Sequence, residues 1–253
     1  MKQILSTSAL HLSITRSEQR NFYHQHATQL QSEAAAGYNS ILEKLDESNI
    51  VAAFLMSSLL GLHVFCDTFL FRDADFSHTL DALLGCMSLL RGVRVVIGNW
   101  WTYLLSSELD VILMDATSKH QRGIDNTFRN EDLERLVSGA DISDASRKIY
   151  RETIDELGHL FAMEAGLPEP EVGQSANMIF AWLVVAPQEY AELLSARRPE
   201  ALIILSYYAV VLHHRRSFWA VGDAGKYLID AIGTHLGRHW DAWLAWPRSM
   251  AAS

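Results

Sequence analysis

Apolar residues recur at three- and four-residue intervals along most of the chain, and nowhere alternate with polar ones between Asn-Gly or Asp-Gly turns. The period is that of helices, and no sheet is predicted. Ile4–Ser13 reads as a short helix. Glu18–Leu45 reads as a long, polar one, with Gly37 as a candidate break. Asn49 is placed to cap the most apolar helix, which starts at Ile50. Asp73 or Asp75 opens the next, running towards Leu90. Gly92 and Gly98 frame another, leading into Trp100, Trp101 and Tyr103. From Ser106 to Asp141 the pattern weakens, and a surface loop is expected over about 115–142.

Ser143 or Asp144 then caps an amphipathic helix whose apolar stripe is Ile149, Thr153, Ile154, Leu157, Leu160 and Phe161. Gly166-Leu-Pro168-Glu-Pro170 should stop it, because proline lacks an amide and restricts the residue before it. Further helices are expected over Val172–Leu183, from Pro187 to Ser195, from Pro199 to His213, over Trp219–Leu236, and from Arg238 to Trp246 before Pro247. The fold class is therefore all-α, one domain of roughly ten to twelve helices over 1–253. No linker divides it, and no 30- to 50-residue repeat marks a solenoid.

Composition narrows the function classes. The 253 residues are 49% hydrophobic and 20% charged, enough for one buried core. Fourteen glycines and five prolines leave few turns. The net charge of −9 opposes binding of nucleic acid along the chain as a whole. The two cysteines, Cys66 and Cys86, lie in apolar helical sequence and read as reduced thiols of an intracellular protein, cytoplasmic or nuclear. Ile50–Phe65 carries Ser57, Ser58 and His63 and falls short of the ~20 apolar residues of a membrane span, so a core helix is expected there.

Motifs for chemistry are sparse. There is no GxxxxGK[ST], no GxGxxG after a strand and no GxSxG. Gly222-Asp-Ala-Gly225-Lys226 has the wrong spacing for a phosphate loop and reads as a turn between helices. His235/His239 and His63/Asp67 each share a helix face. The first pair lacks the HExxH glutamate, Leu236 standing in its place, and neither has an evident third ligand. No metal and no cofactor are therefore expected. His63 reads equally as a core histidine bonded to a neighbour. His63, Asp67 and His159 are the weak candidates for catalytic polar groups. The seven tryptophans fall in clusters: Trp100, Trp101 and Tyr103; Phe218, Trp219 and Tyr227; Trp240, Trp243 and Trp246. Core packing explains such clusters, and so does the wall of a pocket for a flat apolar ligand.

Several segments together resemble the C-terminal ligand-sensing domain of fungal binuclear zinc-cluster transcription factors, the sterol uptake control subgroup in particular. They are Ser8-Ala-Leu-His-Leu12, Asn49–Leu62 (NIVAAFLMSSLLGL), Leu89-Leu-Arg-Gly-Val93, and above all Arg198–Pro247, with PEALIILSYYAVVLHH, FWAVGDAGKYLIDAI and HWDAWLAWP. The resemblance implies an all-helical domain around a deep apolar pocket, which in the sterol regulators holds ergosterol and moves the factor between cytosol and nucleus. Carried over to this chain, it implies ligand contacts at Phe218, Trp219, Val221, Gly222 and Tyr227, with Leu90, Val93, Tyr207 and Tyr208 as weaker carry-overs. The family's six-cysteine DNA reader is absent from this sequence. The sequence is thus either a truncated reading of a longer gene or a stand-alone protein reusing the sensing fold.

Three functions follow as expectations. The first is a sensor that binds a rigid hydrophobic molecule of the sterol or terpenoid class through Trp100, Trp101, Tyr103, Tyr207, Tyr208, Phe218, Trp219, Val221, Gly222 and Tyr227. It would bind no DNA itself and would act as a homodimer or as a heterodimer with full-length relatives. The second is a cofactor-free cyclase or isomerase of fungal secondary metabolism, of cycloaddition type, that holds an apolar terpenoid or polyketide in a reactive shape. The third is a dimerisation module with a long exposed apolar stripe and no cavity.

Overall fold

The computed structural model describes residues 1–72, 75–109, 131–165 and 176–252; among them are twelve α-helices, two 3-10 turns and no strand. Helix α1 (Lys2–Thr15) and α2 (Arg20–Leu42) form an antiparallel hairpin across a 3-10 turn at Ser17–Gln19. Gly37 does not break α2, because Ala34 and Tyr38 on either side are buried and the Tyr38 hydroxyl bonds Ser57 of the next helix. That helix, α3 (Ile50–Leu70), packs against both members of the hairpin. Asn49 precedes it without capping it. Its side chain serves the loop instead, accepting from the Asp46 amide at 3.0 Å and donating to the Lys44 carbonyl at 2.8 Å.

Helix α4 (Phe76–Gly98) opens where Asp75 accepts from the Ser77 amide at 2.8 Å. It runs straight through Gly92, which the sequence reading took for a boundary. A mid-helix glycine costs only about 1 kcal/mol. Against it stand the buried stripe Leu83, Met87 and Leu90 and the hold of Arg91 and Arg94 on the carbonyls of Pro187 (3.2 Å) and Val184 (3.4 Å). A short α5 (Trp101–Leu105) follows. Of the expected loop over 115–142, residues 131–139 are helical: α6 (Glu131–Gly139) buries Leu133, Leu136 and Val137. Residues 110–130 lie outside the described set, as do Asp73 and 166–175.

Ser143 accepts from the Ser146 amide at 3.1 Å and so caps α7 (Asp144–Ala165), whose stripe Thr153, Ile154, Leu157 and Leu160 is buried as expected. Helices α8 (Ala176–Val185) and α9 (Gln188–Ser195) lead to α10 (Pro199–His214). From Ala201 to Leu212 no residue of α10 is more than 1% exposed. A helix with no polar face has to be surrounded, and α6, α7, α9, α11 (Ala224–Leu236) and α12 (Asp241–Ala251) do this. Helix α11 starts later than the expected Trp219, after turns that contain Gly222 at φ 51°.

Helix α12 contains Pro247 in its interior rather than ending before it. Proline leaves the carbonyl four residues back without its amide, and the Tyr207 hydroxyl of α10 donates to that Trp243 carbonyl at 3.5 Å. Trp246 stacks on the same tyrosine, with centroids 4.9 Å apart.

Helices α10 and α11 meet backbone to backbone at Gly225. A Cβ there would lie 2.3 Å from the His213 amide nitrogen and 2.4 Å from the Ala209 carbonyl oxygen. Gly225→Ala is therefore expected to destabilise the fold by about 2–3 kcal/mol, a fall in Tm of roughly 5–10 °C by calorimetry. Gly37→Ala, with open space around it, should instead raise stability by up to about 1 kcal/mol.

Candidate functional site

The aromatic residues singled out in the sequence fall in three hydrophobic clusters. Trp100 and Tyr103 pack around Ile50, Leu104 and Leu109 at the α3–α5 end, with Trp101 beside them and 38% exposed. Tyr207 and Tyr208 belong to the main core, where Tyr207 stacks on Trp246 and Tyr208 on Trp182 at 4.5 Å. Phe218, Trp219, Val221, Gly222 and Tyr227 come together at the turn between α10 and α11, against the C-terminal end of α3. There Trp219 meets His11 edge to face at 5.0 Å. Val221 is fully buried, and Gly222 sits in the left-handed region with Leu70 3.1 Å from where a Cβ would be. Leu90 is buried in the core of α4; the side chain of Val93 lies outside the described set.

This turn is latched to the corner between α3 and α4. Both terminal nitrogens of Arg72 donate to the Asp223 carboxylate, at 3.0 and 2.6 Å, and its guanidinium lies 4.2 Å over the Tyr227 ring. Arg72 also donates to the Phe69 carbonyl, and the Tyr227 and Thr79 hydroxyls bond each other at 3.1 Å. A bidentate arginine on an aromatic face is a directional contact that lysine would not reproduce.

Arg72 and Thr79 also line an open groove of about 410 Å³ along α3 and α4. Its walls are Val64 and Thr68 from α3, Phe71 just past the end of α3, and Thr79, Ala82 and Cys86 from α4, each about one helical turn from the next. Its floor is low at Gly85, where a Cβ would meet nothing within 4 Å. Gln31 of α2 borders it. The Cys86 thiol is pushed up to about 12 by burial, so it stays protonated at neutral pH.

The polar pair at the rim is Asp67 and His24. His24 Nε2 lies 2.6 Å from Asp67 Oδ1, its ring stacks on Phe71 at 3.7 Å, and the Arg20 guanidinium lies 4.6 Å from the same phenylalanine. This arrangement holds a carboxylate beside an apolar wall, able to accept a hydrogen bond from a ligand hydroxyl. Nothing in the sequence marked His24, since its helix is polar and its partner lies 43 residues away. Ala82, Gly85, Thr68 and Arg72 were equally unmarked.

The other two catalytic candidates stand apart from this pair. His159 is on the exposed side of α7 near Glu156, at 3.7 Å. His63 is fully buried and joins three helices. Ser6 spends its one proton on the Ala27 carbonyl at 2.8 Å, so it accepts from His63 Nδ1 at 3.0 Å. The imidazole is thereby fixed as the neutral Nδ1–H form, and Nε2 is buried with no partner. Burial holds its pKa down at about 4, against an ordinary 6.5, with the nearby Asp67 pulling weakly the other way and His24 adding to the depression. Among the described residues no three His, Cys, Asp or Glu side chains gather as a metal site.

No family model and no solved structure matches the chain. A curated protein of Gibberella zeae, described as a Zn(2)-C6 fungal-type transcription factor, is 22% identical over 261 aligned positions. The alignment takes in 98% of this chain and 52% of that protein, so the chain spans about half the length of its relative. The similarity to that protein runs along nearly the whole of this chain.

Two measurements test this geometry. Between pH 6.5 and 4 the unfolded chain protonates His63 while the folded one resists, so stability should fall as pH falls through this window, by roughly 3 kcal/mol at its acid end. His63→Asn, which keeps a donor for Ser6, should flatten that limb of a denaturation-versus-pH series. Arg72→Ala should speed amide exchange at Phe218–Gly222 about tenfold, the equivalent of about 1.4 kcal/mol of local stability, with Arg72→Lys restoring only part of it.

Proposed function

We propose that this chain is a ligand-responsive regulatory domain, taking up a rigid hydrophobic molecule of the sterol or terpenoid class and acting through a partner that reads DNA. The observation that carries the regulatory part of this reading is the likeness, along 98% of the chain, to a Zn(2)-C6 fungal-type transcription factor. The groove supports it. Its volume is at the lower end of small-molecule sites, and two of its lining residues, Arg72 and Thr79, hold the α10–α11 turn. A molecule lying there presses on the same residues that fix the turn. The chain's two cysteines are both buried and do not make a six-cysteine zinc cluster among these residues, so DNA recognition is assigned to a segment or partner outside them.

The His24–Asp67 pair favours a second reading, an enzyme that isomerises or cyclises an apolar terpenoid or polyketide. One experiment separates the two. The purified protein is examined by native mass spectrometry, alone and with ergosterol or a linear terpenoid as probe, and the bound molecule is extracted. A regulator returns it unchanged; an enzyme returns it rearranged, and His24→Ala abolishes the rearrangement. For the regulator, Ala82→Phe, which fills the groove, should weaken binding at least tenfold while lowering Tm by only a few degrees. A protein that retains neither probe at 100 µM overturns the ligand-responsive reading.

A further inference from the structure

Most hydrogen-bond donors around the groove along α3 and α4 are spent inside the protein. The Thr68 hydroxyl gives its proton to the Val64 carbonyl at 2.8 Å. Thr79 has the Asp75 carbonyl at 3.4 Å and the Tyr227 hydroxyl at 3.1 Å. Both terminal nitrogens of Arg72 donate to Asp223, and one of them also to the Phe69 carbonyl. His78 has the Asp75 carboxylate 3.9 Å away. The side chain of Gln31 can donate or accept, so it does not choose between ligands.

Asp67 differs from these. Its Oδ1 is held by His24 at 2.6 Å, but its Oδ2 has no hydrogen-bond partner among the described residues. The side chain is 45% exposed and lines the groove, with Val64 and Phe71 about one turn away on the same face. A carboxylate can only accept, so a molecule that satisfies Oδ2 has to bring a donor. The surrounding charges require that molecule to be neutral. The Arg20 guanidinium lies 4.6 Å from the Phe71 ring, and that of Arg72 is met by Asp223. An acid in the groove would face Asp67, and an ammonium would face Arg20 and Arg72.

We propose that Asp67 makes the groove selective for apolar alcohols. A neutral molecule donates its hydroxyl proton to Asp67 Oδ2, and its carbon skeleton lies along Val64, Phe71 and Ala82. This rests on the groove being the ligand site, as the proposed function has it, and adds which functional group the ligand carries. The ketone or aldehyde of the same skeleton has no proton to give and sets a carbonyl oxygen against the carboxylate. A hydrogen bond to a charged acceptor is among the stronger ones, so the alcohol should bind at least about tenfold tighter than its carbonyl counterpart.

Equilibrium dialysis of the full chain with matched probes up to 100 µM tests this. The pairs are ergosterol with its 3-ketone and farnesol with farnesal, and farnesylamine and farnesoic acid report on charge. For whichever skeleton is retained, the alcohol should exceed the carbonyl at least tenfold, and both charged probes should bind less tightly than farnesol. Asp67→Asn keeps the size and replaces an acceptor by an amide donor. It should bring the two within about threefold, partly by strengthening the carbonyl, a gain that damage to the fold would not produce. Equal binding of alcohol and carbonyl by the wild-type chain overturns the proposal and leaves the ligand-responsive reading standing. So does a ratio unaltered in an Asp67→Asn chain of unchanged circular dichroism, or tighter binding of farnesylamine than of farnesol. Retention of none of the probes overturns both.

Discussion

The twelve residues from Ala201 to Leu212 have no polar face, and a segment of that kind is stable in water only when other chain segments cover it all round. Most other packing choices follow from this. Helices α6, α7, α9, α11 and α12 all lie on α10, and each has one apolar stripe turned inward. The coating must also be close. Gly225 brings two helix backbones together, and Trp182 and Trp246 lie flat on Tyr208 and Tyr207 where smaller rings would leave gaps. Even Pro247 is tolerated because Tyr207 of the coated helix serves the carbonyl that the proline strands.

The N-terminal half of the molecule obeys a different constraint. Helices α1, α2 and α3 meet through small and polar side chains: Ser6, Ala9, Ser13, Ala27 and Ala34 allow close approach, and hydrogen bonds replace bulky packing. Such a joint is specific in register, because each buried hydroxyl or imidazole has one position that satisfies it. It also leaves apolar residues of α3 to face elsewhere. Phe65 and Phe69 enter the main core with α4, while the Asp67 side of the helix opens onto the groove. The groove exists because α4 presents Ala82 and Gly85 there rather than large side chains.

How much of this was legible in the sequence depends on whether the cause was local. The helices, the Ser143 cap, the stripe of α7 and the proline start of α10 were readable because capping and period-3.6 burial are properties of neighbouring residues. Gly92, Gly37, Pro247 and Asn49 were misread for one reason. Each has a local preference that a distant or loop partner overrides: Pro187 and Val184 across from Arg91 and Arg94, Ser57 for Tyr38, Tyr207 for Trp243, and the loop groups of Asp46 and Lys44 for Asn49. Phe218, Trp219 and Tyr227 stood out as an aromatic cluster, to which the family resemblance added Val221 and Gly222. Its latch did not stand out, since Arg72 and Asp223 are 151 residues apart and each is an ordinary surface residue on paper.

The latch gives the groove a consequence. Arg72 and Thr79 line it, and these two side chains are also what secures Asp223 and Tyr227. The turn they hold includes Gly222, in a backbone conformation that L residues seldom adopt, and leads directly into the helix that contacts α10 through Gly225. A change in the groove is therefore one side chain removed from the turn and one turn removed from the buried helix. The physical requirement for coupling is a single element that both sites bias, and the Phe218–Asp223 turn is the element placed to be one. It is short and latched by contacts that are partly open to solvent, while Val221 anchors it in the coated core, so a change at Arg72 or Thr79 reaches both.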